Sequence, residues 1–309
     1  MANLKEIKNR IQSVENTKKI TRAMKMVAAA KVKKSETAVK ASRPYTKELV
    51  GMFQKLLNSI TTYSSETLKI KYAIDDYPEL LEKREVKNVG ILVITSNKGL
   101  AGAYNANIVR SVIKRIKEYK QAGINTELFV AGQKGISSLR KKAEQLGCPI
   151  VKKYYSVVDK PSPIDARDIA EDMAEDFVAH KIDKIEIITT RFKNMMSYFV
   201  EDWQVLPVEG IIDVHERITD NIIDPLMEFV PDKHHILQKI VPMYMTNIFY
   251  QALLEAQASE LASRMTSMSA ATNNAEKMIQ ELTVLYNKSR QFAITQEIIE
   301  VVNGANSLN

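Results

Sequence analysis

The chain has 309 residues, 45% hydrophobic and 26% charged, with a formal net charge of +7, which is the composition of a folded soluble protein large enough for one big domain or two ordinary ones. Its single cysteine, Cys148, excludes an intramolecular disulfide framework, fits a reducing compartment, and reads as a small buried residue. No apolar run approaches the ~20 residues that span a bilayer, and the opening MANLKEIKNR is too charged for a secretory signal, so the chain is expected inside the cell or at a membrane through other subunits.

Residues 1–43 contain no glycine or proline and hold twelve Lys and Arg against three Glu. Leu4, Ile7, Ile11, Val14, Thr17, Ile20, Met24 and Val27 recur at helical spacing, which predicts a long helix over 1–58 with one apolar seam. Asn3 with Glu6 three residues on resembles a capping box. At Pro44 the helix is expected to kink, or to break and resume from Lys47 to Ser59. Lys31, Lys33 and Lys34 form a basic cluster that suits either a solvated face or an acidic partner. Residues 59–85 show no period and read as a connector, with Asp75-Asp76-Tyr77-Pro78 as a turn.

The pattern changes over 86–231. Strands are predicted at Val89–Thr95, Thr126–Ala131, Pro149–Tyr155, Lys184–Thr190 and Met196–Leu206, the last pairing antiparallel. Helices fall between them, from the Ser96–Asn105 loop to Gln121, over Lys134–Gln145 and over Ile164–His180. Alternation at this spacing implies a mostly parallel sheet, a Rossmann-like α/β domain. Seven of the ten glycines lie between Gly90 and Gly147, where the tight turns concentrate. Asp213 to Ile223 fits helix or strand equally, and Asp232 reads as a cap.

From 232 to 309 a second long helix is predicted, with a kink at Pro242. Ala258, Leu261, Met265, Met268, Thr272, Ala275, Ile279, Leu282, Tyr286, Ser289 and Ala293 alternate at three and four residues, a seam narrow enough for a coiled coil. One long helix enters the α/β domain and the other leaves it, so they are expected to pair antiparallel. The fold class is therefore α/β: a long antiparallel coiled coil of the terminal helices plus a central Rossmann-like domain. The second helix is longer, and Phe292, Ile294, Ile298, Ile299, Val301 and Val302 near its end face several directions. A lone helix carrying those residues is an association site, which points to a sleeve built by other subunits.

Catalytic motifs are missing. The loop SNKGLAGAYN matches neither GxxxxGK[ST] nor GxGxxG and reads as a structural turn or subunit contact. His180, His215, His234 and His235 lack zinc spacing, so no metal or cofactor is expected. Glu171, Asp172, Glu175 and Asp176 read as the wet face of a helix, and Met24, Met26, Met243, Met245, Met265 and Met268 as adaptable packing. The basic first helix leaves one alternative open, a nucleic-acid-binding coiled-coil protein, which predicts steep salt dependence and gives the apolar end no role.

The segments Ile20-Thr21-Arg22-Ala23-Met24-Lys25-Met26-Val27 and Leu282 through Tyr286-Asn287-Lys288-Ser289-Arg290-Gln291 to Ile294-Thr295-Gln296-Glu297-Ile298 closely resemble the terminal helices of the γ subunits of F-type ATP synthases. TSNKGLAGAYN agrees with that family's α/β domain, apart from Asn97 and Ala103, where the family often has Asp and Gly. The lack of a cysteine-bearing insertion resembles the bacterial type. The resemblance implies a non-catalytic rotor subunit, present once per complex. Its terminal helices would be a shaft inside the α and β subunits, and its α/β domain a foot on the ε subunit and the membrane c-ring. It would couple ion flow through that ring to ATP synthesis or hydrolysis on the β subunits, as a peripheral protein of the cytoplasmic face. Motif matching gives Arg290, Gln291, Thr295 and Glu297 as contacts for β-subunit loops, with Met24 and Lys25 nearby and Lys31, Lys33 and Lys34 facing acidic β levers. Phe292, Ile294, Ile298, Ile299, Val301 and Val302 would form the apolar bearing tip.

Overall fold

The computed structural model describes residues 4–62, 80, 84–208 and 233–306. The elements are α1 (Leu4–Thr62), β1 (Asn88–Ile94), α2 (Tyr104–Gln121), β2 (Asn125–Ala131), α3 (Gln133–Leu146), β3 (Ile150–Tyr154), α4 (Pro163–Val178), β4 (Lys184–Asn194), β5 (Ser197–Leu206) and α5 (Lys233–Asn306). They divide into two compact units, one of residues 31–263 and one of residues 1–30 with 264–309. Asn3, the Asp75–Pro78 turn, the Asp213–Ile223 stretch and the cap at Asp232 lie outside the described residues.

In the larger unit the strands form one sheet in the order β3-β2-β1-β4-β5. The first four run parallel, and β5 returns antiparallel beside β4. The period of two along β1 sorts its residues between two cores. Val89, Ile91 and Val93 face Ile108, Val112 and Ile116 of α2 and Leu139 of α3. Leu92 and Ile94 face Ile169, Met173 and Phe177 of α4, with Tyr244, Ile248, Phe249 and Ala252 of α5 and Phe53 of α1. A sheet covered on both faces explains why β1 reads as a continuous apolar run. The helix α4 starts where Ser162 accepts a hydrogen bond from the Asp165 amide at 3.2 Å, with Pro163 in the first turn, where its missing N–H costs nothing. Cys148 is buried in the core, and burial pushes its thiol pKa up.

Several sequence expectations change. Of the two outcomes expected at Pro44, a kink or a break, the break does not occur, since α1 is one element through it, and α5 is one element through Pro242. Asp172 is not on a wet face, because the Lys152 ammonium and the Tyr154 hydroxyl both donate to its carboxylate; Glu171 and Glu175 are exposed as expected, and Asp176 is half-buried against Lys181. Met245 and Met268 pack internally, whereas Met26 and Met243 are exposed, Met243 lining a groove of about 780 Å³ with Tyr45, Ala170 and Tyr250.

In the smaller unit α1 and α5 run antiparallel, tied by Lys18 to Glu276 at 2.8 Å and by Thr272 donating to Thr21 at 2.9 Å. Every α5 seam residue from Met265 to Ala293 is buried or half-buried. On α1 the positions Leu4, Ile7, Ile11, Val14, Lys18, Thr21, Lys25 and Ala28 are all protected, with Glu15, Met24 and Ala29 half-buried beside them. That is an unbroken heptad alternation, and it corrects the expected seam: Thr17, Ile20 and Val27 are exposed. Lys18 holds a seam position by reaching Glu276 across the pair, and Lys25 is half-buried, as a long alkyl stem on a seam allows.

Candidate functional site

The Ser96–Asn105 loop is held by its own residues. Thr95 donates its hydroxyl to Ala131 O at 2.9 Å and accepts the Gly135 amide at 2.9 Å. Asn97 Oδ1 accepts the Gln133 amide at 3.0 Å, and Ser96 O accepts that of Lys134 at 3.0 Å. The first amides of α3, the groups that would cradle a phosphate, are therefore occupied by the preceding loop. Gly132 is obligatory here, since at φ 101° an added Cβ would lie 2.4 Å from Thr95 O. The far side of the loop rests on α5: Ser263 donates to Ala101 O at 2.7 Å, and the buried Tyr104 hydroxyl donates to Ala256 O at 3.1 Å. The loop is a structural bracket, in keeping with its reading as a turn.

Also in the larger unit, α1 presents Lys31, Lys33 and Lys34 to solvent while Val32 and Ser35 are buried toward α5. No carboxylate among the described residues lies within ion-pairing distance of those three lysines. Glu186, by contrast, is consumed internally. Burial opposes ionisation of Glu186, but bonds from Arg115, Lys184 and Tyr119 outweigh it and hold its carboxyl below the ordinary glutamate range. His180 ends α4 beside the Arg84 guanidinium with a left-handed φ of 57°; His215 lies outside the described residues.

In the smaller unit Met24 and Lys25 are half-buried on the seam side of α1. Near the end of α5, Arg290, Gln291, Thr295 and Glu297 are exposed, and only Thr295 is engaged locally, donating to Gln291 O at 2.9 Å. Phe292, Ile294, Ile298, Ile299, Val301 and Val302 are 44 to 73% exposed. Six large apolar side chains in water along one stretch of helix mark an association surface.

Sequence reasoning missed a second apolar patch. Ile20, Met26 and Val27 are 57 to 61% exposed, with Ala23 and Ala30 beside them on the outer face of α1. Counting strict heptads from Leu4 would have found it, because that register leaves Ile20 and Val27 outside the seam. The patch is bordered by Lys19 and Arg22, so it matches a partner with apolar and acidic side chains.

Comparison with known proteins places this arrangement. A family model described as ATP synthase matches residues 3–308. The ATP synthase gamma chains of Picosynechococcus sp. and Trichormus variabilis are 39% and 37% identical, each over the whole of both chains. Among solved structures, the central stalk and c-ring of the Tetrahymena thermophila mitochondrial ATP synthase contains a chain 26% identical at a TM-score of 0.60, covering 82% of this chain and 99% of that one. A chain of the Euglena gracilis mitochondrial enzyme, 17% identical at a TM-score of 0.64 over 99% and 94%, shares the fold.

Proposed function

This chain belongs to the family of ATP synthase gamma chains, and on that premise we propose how it works as the central-stalk rotor subunit. Residues 1–58 and 232–309 serve as the shaft, 59–85 as a connector and 86–231 as the foot. The shaft turns inside the hexamer of α and β subunits. The foot rests on ε and the c-ring, through which alone the chain is held at the cytoplasmic face of the membrane. Among the described residues no helix is long and apolar enough to cross a membrane. Catalysis belongs to the β subunits; this chain supplies asymmetry, so that the three β sites differ at any instant and exchange states as it turns.

The observation that carries the reading is the exposed apolar stretch Phe292–Val302. It costs solubility unless something covers it, and an apolar sleeve in which side chains slide without directional bonds makes a bearing. Arg290, Gln291, Thr295 and Glu297 sit beside it as the polar grip, while the Ile20, Met26 and Val27 patch with Met24, Lys25, Lys31, Lys33 and Lys34 meets acidic β-subunit levers. Nothing in the relatives favours nucleic-acid binding.

The test is purification of a tagged chain from its own membranes, full length and truncated after Asn287. Full-length chain that brings down α, β, ε and c subunits with ATPase activity, and truncated chain that brings them down with coupling impaired, supports the reading. A full-length chain recovered without α and β refutes it.

A further inference from the structure

We propose that Arg43 and Glu255 form the torsional lock of the α/β body, the point at which α1 and α5 are keyed to the sheet so that the three turn as one; this rests on the rotor reading above. Glu255 is 1% exposed on α5, and its carboxylate receives four hydrogen bonds. Arg43 of α1 donates Nε to Oε1 at 2.7 Å and Nη2 to Oε2 at 2.9 Å. The Phe192 amide donates to Oε2 at 2.8 Å, and Gln251 Nε2 to Oε1 at 2.9 Å. Arg43 Nη2 also donates to Phe192 O at 2.7 Å, so a guanidinium and a carboxylate together hold both main-chain groups of one residue of β4.

Phe192 is available because β4 outruns its neighbour. The pairing of β4 with β1 stops at Ile188, and the ladder with β5 is irregular between Phe192 and Asn194. Beyond Ile188 no strand of the described residues lies beside the backbone edge facing away from β5. At Phe192 that edge bonds the two helices instead. Val32, Val39, Leu254, Ala258 and Leu261 pack around Phe192, so the carboxylate end of the contact is buried while the Arg43 side chain stays 39% exposed.

Apolar packing between helices and a sheet is non-directional, so under torque it yields by sliding with little change in buried area. A bidentate guanidinium–carboxylate pair fixes angle as well as distance. One helical residue of slip, a rise of about 1.5 Å, breaks all of its bonds at once. The polarity is also fixed: exchanging the two residues would set a guanidinium against the Phe192 amide, donor against donor.

The experiment uses the assembled, membrane-reconstituted complex carrying Glu255→Gln, Arg43→Lys, or the pair Arg43→Cys with Glu255→Cys, before and after bridging by a short bismaleimide. Cys148 is buried and remains in all variants. The readouts are ions pumped per ATP hydrolysed, and torsional stiffness from the angular fluctuations of a probe on the α/β body with the hexamer immobilised. The expected result is a loss of stiffness and of pumping ratio in both single variants, Glu255→Gln because its bonds lose charge assistance and Arg43→Lys because a single ammonium cannot reproduce the two-pronged contact, with hydrolysis near wild type. Bridging the cysteines rejoins α1 to α5 but leaves the Phe192 main chain unheld, so both readouts stay low. Unchanged stiffness and pumping ratio in the single variants, or full recovery on bridging, overturns the lock to the sheet. A wild-type complex whose probe does not rotate with ATP overturns the rotor reading instead.

Discussion

Replacing Ile298 tests the bearing most directly, because the side chain is 58% exposed in the chain itself and so has little to do with its folding. Full burial of an isoleucine is worth about 1.5–3 kcal/mol, so covering the exposed share in a sleeve contributes roughly 1–2 kcal/mol. Ile298→Ala forfeits most of that, and about 1.4 kcal/mol is a tenfold change in an equilibrium constant. Ile298→Asp adds the cost of placing a carboxylate in an apolar sleeve and should weaken assembly further. The assay is reconstitution: purified α and β subunits are titrated with the full-length chain, and the concentration that restores half-maximal ATPase activity is read. The alanine variant should need roughly tenfold more chain and the aspartate variant more still, with helicity and melting temperature of the free chain unchanged. Equal half-maximal concentrations for wild type and Ile298→Asp would refute the bearing, since no apolar sleeve tolerates that exchange silently.

Neutralising Lys31, Lys33 and Lys34 together with glutamine should slow ATP-driven rotation at low salt, and the difference from wild type should close as ionic strength rises, because exposed charges are screened beyond about 10 Å at 0.1 M; equal rates at every salt concentration would mark them as solvated. Glu186, whose folded-state pKa lies below the usual range, stabilises the fold above the unfolded value near 4.3, and that contribution is lost as pH falls through the depressed one. Guanidinium midpoints of wild type and Glu186→Gln should therefore converge in acid, and a gap that stays constant below pH 4 would contradict the assignment. Gly132→Ala should destabilise by about 2–4 kcal/mol, combining a positive φ with a backbone clash, and a thermal shift near zero would mean the turn relaxes freely.

The strands were readable because a sheet covered on both faces demands Val and Ile in unbroken runs, as in Val89–Ile94, and few other structures do. The α5 seam was readable for the opposite reason: its residues are small or apolar at every three-and-four step from Ala258 to Ala293. On α1 the same logic misled, since Lys18, Thr21 and Lys25 occupy seam positions while Ile20 and Val27 do not. Counting apolar residues follows composition, whereas the helix follows register. Arg43 and Glu255 were not legible at all: 212 residues apart, each looks like an ordinary surface charge until the fold brings them to Phe192. The exposed end of α5 could be recognised because its apolar residues occupy too many faces for one partner helix to cover.

The antiparallel pairing of α1 and α5 sets a schedule for synthesis. Lys18 finds Glu276 across 258 residues of sequence, so the first helix emerges from the ribosome long before its mate exists. At roughly 5–20 residues per second that interval is tens of seconds, long enough for the intervening sheet to fold as a unit. Through it, residues 1–43 of the newborn chain carry Ile7, Ile11 and Val14 unpaired amid twelve cations and three carboxylates. Mutual repulsion between nascent chains keeps such a segment from self-association until translation delivers its complement.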